Sequence, residues 1–233
     1  MRQDGERTAR YALLVNDTAA AEIRSPTTAE DVRLRILDAA EQVFAARGYG
    51  AATTREIAAA AGIGKRMLFY YFATKDSVYR AVLERVITGM VTIHEQFRSD
   101  PGPVGIAEAM EGITHFAAAN MPALRVLTRE IMDGGPHVAD LVREHLGPLF
   151  ERGSVEVARN MDDGTFRPGD PMHVLVNVAG LTLYYFQMLP LLELIWDRNP
   201  LAPDTLAERA RAARDCLMHG LVATPTSRGG ASS

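Results

Sequence analysis

Apolar residues recur at helical spacing along most of the chain, and no convincing run of alternating residues predicts a strand. From residue 29 to residue 47, one helical face carries Val32, Ile36, Ala39, Ala40, Val43 and Phe44. Gly48 follows at the position where a left-handed residue commonly ends a helix. Further helical patterns, separated by proline- and glycine-containing segments, cover residues 103–119, 122–132, 137–161, 171–197 and 204–222. The pattern predicts an all-α fold.

A short helix is predicted soon after Gly48. Thr53 and Glu56 have the spacing of a capping box, in which the hydroxyl accepts from the amide three residues on and the carboxylate reaches back. The helix then runs from residue 54 to residue 61. A glycine-containing turn separates it from the next helical segment.

That next segment is a second short helix that Gly64 caps. Ile63 and Leu68 occupy the hydrophobic-staple positions, which fix the angle at which the chain enters a helix. Thr74 then opens a longer helix, predicted from residue 75 to about residue 98.

These elements divide the chain into four parts. Residues 1–28 are polar, rich in alanine and threonine, and end in "SPTT", so we expect a disordered arm. Residues 29–74 form a small three-helix domain, residues 75–222 a larger helical domain, and residues 223–233 a disordered tail.

Composition favours a folded protein of a reducing compartment. Hydrophobic residues make up 47% of the chain, enough for a substantial core. The single cysteine, Cys216, excludes an internal disulfide framework. The one apolar run near the N-terminus, "YALLV", is too short for a signal-peptide core. We therefore expect a cytoplasmic protein.

Residues 174–196 pose the alternative of a membrane span, because they carry no charge before Glu193 and are long enough to cross a bilayer. Asn177, Gln187 and Pro190 argue against a span, as does the lack of a flank rich in lysine and arginine. A helix that is apolar all round can equally be buried in a large protein or an oligomer. We favour burial and expect no membrane partner.

Charge is distributed unevenly along the chain. Residues 31–80 contain eight basic and five acidic residues, a net charge of +3, whereas the whole chain has −4 and the remainder therefore −7. A basic first part on an acidic remainder is typical of a protein that contacts nucleic acid through one domain.

The stretch "GIGKRMLFYYFATK", residues 62–75, contains the chemistry that such a contact needs. Two short helices joined by a tight turn, the second basic and aromatic, are the layout of a helix-turn-helix. The N-terminal end of the second helix can enter the major groove, where Lys65 and Arg66 can donate hydrogen bonds to guanine O6 and N7. Leu68, Tyr71 and Phe72 are expected to face the domain core.

Residues 53–83, "TTREIAAAAGIGKRMLFYYFATKDSVYRAVL", resemble the tetracycline-repressor (TetR/AcrR-type) family of transcriptional regulators. The resemblance extends from the first helix to about residue 83, and it implies an N-terminal helix-turn-helix DNA-binding domain followed by a helical ligand-binding and dimerisation domain. It also implies DNA contacts from Thr53, Thr54, Arg55, Gly64, Lys65, Arg66, Met67, Phe69, Tyr70 and Lys75. In the family, the last of these positions holds a phosphate.

Three positions depart from the family pattern. Gly64 replaces a capping serine, Phe69 replaces a tyrosine that hydrogen-bonds a phosphate, and Arg66 replaces a small residue. We expect these differences to change the preferred operator sequence but not the DNA-binding role.

The last two helices are expected to form a four-helix interface between two subunits, where the family dimerises. Such an interface would also bury the surface that resembles a membrane span. The predicted interface residues are Val174, Val178, Leu181, Tyr185, Met188, Leu206, Ala210, Ala213 and Leu217.

The middle helices are where family members hold a small effector, which we expect here to be largely apolar. The main candidates are Met90, His94, Phe97, Phe116, Asn120, Arg129, Asn177 and Tyr184, with His115 and Arg125 as weaker ones. Each residue alone is more often a satisfied core or surface residue. Glu111 and His115 are too few ligands to predict a metal, and no cofactor is predicted.

Function is expected to be transcriptional repression by a homodimer on a palindromic operator, relieved by the effector. A ligand-responsive activator of the same fold remains an alternative. An enzyme is disfavoured because the chain has no H-E-x-x-H spacing, G-x-S-x-G elbow or phosphate-binding glycine loop. An architectural DNA binder without sequence preference is disfavoured by the acidic remainder.

Overall fold

The computed structural model describes residues 28–96 and 102–223. The predicted arm and tail lie outside this part except for Thr28 and Ala223. Thr28 is the N-cap of the first helix, because its hydroxyl accepts from the amide of Asp31 at 3.2 Å and its own amide donates to the Asp31 carboxylate. This capping box sets the start of the first helix.

Helices account for nearly all of the described chain, which confirms the all-α prediction. They are α1 (Ala29–Ala51), α2 (Thr54–Ala60), α3 (Lys65–Tyr71), α4 (Lys75–Gln96), α5 (Pro103–Ala119), α6 (Met121–Met132), α7 (Ala139–Leu141), a π-helical turn (Val142–Leu146), α8 (Gly147–Asp162), α9 (Pro171–Gln187), α10 (Leu189–Ile195) and α11 (Pro203–Leu221). Among the described residues, β-type backbone pairing is limited to one isolated antiparallel bridge between Phe166 and Val222.

Helix α1 breaks at Gly48 and then continues for one more turn. The φ angle of Gly48 is 73°, which strongly favours glycine there. A β-carbon at this position would also lie 3.0 Å from the Nη1 atom of Arg129 on α6. The predicted end at residue 47 therefore marks the break, whereas the helix itself ends at Ala51.

Helices α1 to α3 enclose one end of the main hydrophobic core. Ile36, Phe44, Ile57 and Leu68 are almost completely buried, and the core continues through α4 into α6. Helices α1 to α3 and the helices that follow them therefore share one hydrophobic core, and α4 connects the two groups.

An ionic contact also joins α4 to α1. Arg85 donates from Nε to the carboxylate of Glu41 at 2.8 Å and from Nη1 to Asp38 at 2.8 Å. Burial raises the pKa of Glu41, and the opposing charge of Arg85 partly offsets that effect.

Two long predicted helices are interrupted. The segment predicted as residues 137–161 passes through the π-helical turn between α7 and α8. The segment predicted as residues 171–197 bends by 58° between α9 and α10, next to Pro190. Proline cannot donate an amide within a helix, which explains a break at this place. Over residues 28–96 and 102–223, no single helix is long and apolar enough for a membrane span, and only the bent pair meets the length and composition test.

Candidate nucleic-acid interface

The turn before α3 is held by glycine geometry and backbone hydrogen bonds. Gly62 has a φ of 65°, and the amide of Ile63 donates to the carbonyl of Ala58 at 3.0 Å. Gly64 is the N-cap of α3, but it provides no side-chain hydrogen bond to the helix. The predicted positions of the turn and of the cap are confirmed.

Helix α3 has one buried and one exposed face. Leu68 is fully buried and Phe72 is 5% exposed, so these two side chains attach the helix to the core. Tyr71 is half-buried. The remaining positions face solvent: Gly64, Lys65, Arg66, Met67, Phe69 and Tyr70. This surface, which we call the α3 face, combines two positive charges with apolar and aromatic contact area.

Aromatic and basic groups touch one another on the α3 face. The Nζ atom of Lys65 lies 5.5 Å from the ring centre of Phe69, and Tyr70 makes an edge contact with Tyr71 at 5.2 Å. Tyr70 is 80% exposed, although a ring of this size is usually more buried. An exposed aromatic side chain on the same short helix as two cations is suited to packing on a sugar-phosphate backbone.

The start of α2 lies at the edge of this surface. The Thr53 hydroxyl donates to Glu56 at 2.8 Å and accepts from the Glu56 amide at 3.2 Å, so the predicted capping box is confirmed. Thr54 is half-buried and Arg55 is exposed. The Thr53 hydroxyl is thus engaged in the cap.

Glu56 is the acidic group of this region, and it is neutralised locally. Hydrogen bonds from the Thr53 hydroxyl, then from its backbone amide, hold the pKa of Glu56 below its ordinary value. Arg47 pairs with the carboxylate at 3.1 Å. The capping carboxylate therefore stays ionised with a cation beside it.

Lys75 has a different environment from the predicted one. Its Nζ atom donates to the carbonyls of Tyr49 at 2.7 Å and Ala52 at 3.1 Å, and lies 4.3 Å from the Tyr49 ring centre. Two of its three N–H donors are therefore used inside the protein. In this structure Lys75 holds the start of α4 against the end of α1, rather than reaching outward towards a phosphate.

The predicted effector residues do not form one site. Met90 and His94 of α4 do come together, at a cavity of about 180 Å³ among α4, α5, α8 and α9. The other residues of this inner cavity are mainly apolar, including Ile113, Leu149, Phe150, Leu175 and Val178, with Thr182 as a buried hydroxyl.

The remaining effector candidates lie elsewhere. Phe116 packs against Gly89, where an added β-carbon would be 2.4 Å from its ring, and Asn120 caps α5 by donating to the carbonyl of Phe116. Asn177 lies in a groove between α9 and α11, Tyr184 is 57% exposed, and Arg129 lies between α6 and α1. Phe97 falls outside the described residues.

Most of the residues predicted for the dimer interface are largely buried within a single chain: Val174, Tyr185, Leu206, Ala210, Ala213 and Leu217. Val174 and Leu217 also line the groove between α9 and α11. Tyr185, for example, donates its hydroxyl to the buried carbonyl of Pro200 at 2.7 Å. Val178, Leu181 and Met188 are half-buried, and Val178 lines the inner cavity.

Several of the exposed large apolar residues lie on the side of α9 away from Val174 and Tyr185 and on the adjoining α10. We call this the α9–α10 face, and its members are Met172, Val176, Tyr184, Leu191, Leu194 and Ile195. Large apolar residues gathered on one surface commonly mark an interaction site. The sequence offered a signal for it, because α9 is apolar on every side.

A buried polar cluster at the base of α4 had no sequence signal. Glu130 of α6 is 3% exposed, and its carboxylate accepts from the Tyr79 hydroxyl at 3.1 Å and the His137 amide at 2.6 Å. The His137 ring also contacts Asp76 at 3.1 Å. Burial, followed by the charge of Glu130, raises the pKa of Tyr79 well above its ordinary value. The cluster joins α6 to the first turn of α4.

No group of three or more histidine, cysteine, aspartate or glutamate side chains within residues 28–96 and 102–223 could hold a metal ion.

A three-helix unit whose third helix, α3, is exposed, basic and aromatic has the architecture of a helix-turn-helix domain. The family model described as "Bacterial regulatory proteins, tetR family" matches residues 36–82, and the one described as "Tetracyclin repressor-like, C-terminal domain" matches residues 103–217. Together they cover more than half of the chain. The chain belongs to the TetR family of DNA-binding transcriptional regulators, which are not enzymes.

Individual relatives agree with this assignment. The HTH-type transcriptional regulator RutR of Escherichia coli K12 is 27% identical over 161 residues, 69% of this chain and 76% of RutR. The HTH-type transcriptional repressor AcnR of Corynebacterium efficiens is 27% identical over 145 residues, 61% of this chain and 73% of AcnR. The solved structure of the ketosteroid transcriptional regulator KstR2 of Mycobacterium tuberculosis matches with a TM-score of 0.68 at 18% identity, covering 86% of this chain and 100% of that one. At that identity the likeness concerns the fold.

Proposed function

We propose that this protein is a repressor that binds a palindromic operator as a homodimer and is released by a small-molecule effector. The observation that carries the proposal is the α3 face, where Lys65, Arg66 and Tyr70 are exposed on a helix that Leu68 and Phe72 anchor. The repressor AcnR among the relatives supports this direction of regulation. The protein acts where the DNA is, in the cytoplasm.

Direct reading of bases is assigned to Lys65, Arg66 and Met67 at the start of α3, which enters the major groove. Thr54, Arg55, Phe69 and Tyr70 contact the flanking phosphates and sugars. Thr53, whose hydroxyl and amide both donate to Glu56, positions the start of α2. A bidentate contact from Lys or Arg to guanine discriminates by about 1–3 kcal/mol. A single recognition helix supplies few such contacts, so two subunits must read two half-sites about 34–36 Å apart.

Dimerisation is assigned to the α9–α10 face. Val176 is 53% exposed and Leu194 is 82% exposed. Covering such side chains removes apolar surface from water, at about 25 cal/mol per Å². The domain division follows, with residues 29–74 binding DNA and residues 75–222 binding the effector and the second subunit.

Effector release is assigned to the inner cavity and α4. Met90 and His94 line the cavity, while Lys75 and Tyr79 on the same helix contact α1 and α6. A largely apolar ligand that favours one position of α4 would change the separation of the two α3 faces. Coupling of this kind is typically about 1–3 kcal/mol.

The test begins by selecting bound fragments from genomic DNA and footprinting the recovered operator. The variant Lys65→Ala/Arg66→Ala should keep its helical content and lose specific binding. Specific binding that survives both changes would contradict the assignment. Arg211, exposed on α11, offers a matched control, because Arg211→Ala removes a charge far from α3.

A further inference from the structure

A cleft separate from the inner cavity lies where α1 meets α6 and the end of α9. Its volume is about 450 Å³, and its walls include Ala45 of α1, Leu124 of α6 and Phe186 of α9. Small-molecule sites commonly measure about 300–1,000 Å³. We call it the junction cleft, because α1 belongs to the DNA-binding part and the other two helices to the second part.

Two arginines of α6 line the junction cleft. Arg125 and Arg129 are four residues apart and therefore project from the same face of the helix. Throughout residues 28–96 and 102–223, no carboxylate lies within 4.0 Å of either guanidinium, although most ion pairs of this protein use arginine. Arg129 makes one long hydrogen bond, from Nη1 to the carbonyl of Phe44 at 3.4 Å.

The rest of the cleft is mainly apolar. Leu124 is 5% exposed and Phe186 is 3% exposed, so both are held in place by packing and form the apolar floor of the cleft. Thr128 and Gln187 add polar groups to the lining. Two positive charges with no carboxylate partner among the described residues, beside an apolar floor, make a site of mixed character, unlike the inner cavity.

We propose that the junction cleft binds a small organic anion with an apolar body, whose carboxylate or phosphate group is held by Arg125 and Arg129. The planar guanidinium donates two parallel hydrogen bonds to such groups, which makes arginine the preferred partner. The apolar body rests on Leu124 and Phe186. This site goes beyond the proposed effector cavity, and its occupant is a different class of ligand.

The position of the cleft gives such binding a consequence for DNA. Ala45 and the Phe44 carbonyl belong to α1, whereas both arginines belong to α6. An anion bound in the cleft contacts both α1 and α6. It therefore favours one arrangement of α1 against α6 to the extent that it binds that arrangement more tightly.

The test uses the full chain with 13C-labelled methionine methyl groups. Met121 and Met132 line the junction cleft and Met90 lines the inner cavity, so each methyl signal reports one site. The probes are 4-phenylbutyrate, phenyl phosphate and the uncharged 4-phenylbutan-1-ol. We expect both anions to cause saturable shifts at Met121 or Met132, and the alcohol to bind at least about tenfold more weakly there.

Three variants locate the charge. Arg125→Gln and Arg129→Gln should each weaken 4-phenylbutyrate binding by about tenfold or more. Arg143→Gln, which removes an exposed charge paired with Asp140, should leave it unchanged. Arg125 is the cleaner position, because Arg129 also contacts the backbone of α1.

Four results would overturn the proposal: shifts confined to Met90, equal affinity for the alcohol, unchanged affinity in both cleft variants, or no saturable shift with either anion at millimolar concentration. A DNA phosphate is the competing source of negative charge. If Arg125→Gln weakened binding to a DNA duplex in the absence of the probes, the arginines would be assigned to DNA and the small-anion site abandoned.

Discussion

The hydroxyl of Tyr79 on α4 donates a hydrogen bond at 3.1 Å to the carboxylate of Glu130, a residue 51 positions later in the chain. Tyr79 is 2% exposed and Glu130 is 3% exposed, so water cannot readily replace the bond. The contact links the first turns of α4, which lead directly from α3, to α6. It is therefore part of the connection between the helix-turn-helix and the C-terminal helical domain.

Removing that hydroxyl should destabilise the protein measurably. For Tyr79→Phe we expect a loss of about 1–2 kcal/mol in the free energy of unfolding, because a buried charged acceptor loses one donor. The measurement is urea denaturation at neutral pH. Tyr70→Phe is the matched control in the absence of DNA, since that ring is 80% exposed and no hydrogen bond of its hydroxyl is found in the described part of the chain. Equal stability of the two variants would show that Glu130 finds another donor.

Lys75 and Lys65, the two lysines of the chain, should separate stability from DNA binding. Lys75→Met removes two hydrogen bonds from an ammonium to the carbonyls of Tyr49 and Ala52, so we expect about 1.5–3 kcal/mol of destabilisation. Lys65→Met should leave stability within about 0.5 kcal/mol and weaken DNA binding instead. Denaturation and fluorescence anisotropy with an operator duplex measure the two effects. A stable Lys75→Met variant would return Lys75 to the predicted role of phosphate contact.

Much of the fold could be predicted from the sequence because its helix ends carry local signals. The capping box of Thr53 and Glu56, the turn at Gly62 and the prolines before several helices each act within a few residues. The π-helical turn at Val142–Leu146 has no such signal, since no proline or glycine lies within it. It was accordingly missed.

The buried and exposed faces of the last helices could not be predicted from the sequence. Because α9 is apolar on every side, hydrophobic periodicity cannot show which of its faces packs against other helices of the same chain and which stays exposed. Packing assigns Val174 and Tyr185 to the interior and leaves Val176 and Tyr184 outside. The Tyr79–Glu130 contact was unpredictable for a related reason: its partners are distant in sequence, and each alone is an ordinary helical residue.

The departure at Phe69 predicts a gain of affinity. Phe69 is 40% exposed on the α3 face. The family pattern has a tyrosine at this position, and its hydroxyl binds a phosphate. Phe69→Tyr adds a hydroxyl at the ring edge, and we expect DNA binding tighter by about 0.5–1.5 kcal/mol. Anisotropy titrations at fixed salt measure it, with Phe69→Leu as a control that keeps an apolar side chain. No gain with tyrosine would mean that this ring does not face a phosphate.

The lowered pKa of Glu56 predicts that the stability of the protein depends on pH in the acidic range. Its pKa is lowered in the folded protein, so its contribution is present above the ordinary value of 4.5 and is lost as pH falls through the lowered pKa. Glu56→Gln lacks this contribution. We expect the variant to be less stable than wild type at neutral pH, and the difference to shrink below about pH 4.5. Unfolding free energies at a series of pH values test this; a difference that stays constant would place the effect elsewhere.

The α9–α10 face offers a test of the proposed dimer. Tyr184→Glu places a charge among apolar residues that a second subunit should cover, so dissociation should become at least about tenfold easier. The chain itself should remain folded, because Tyr184 is 57% exposed. Val155→Glu, at an exposed apolar position on α8, is the matched control. Sedimentation equilibrium gives the dissociation constants, and operator titrations should show binding weakened in parallel for Tyr184→Glu alone. If Val155→Glu proved the disruptive change, the dimer interface would lie on α8 instead.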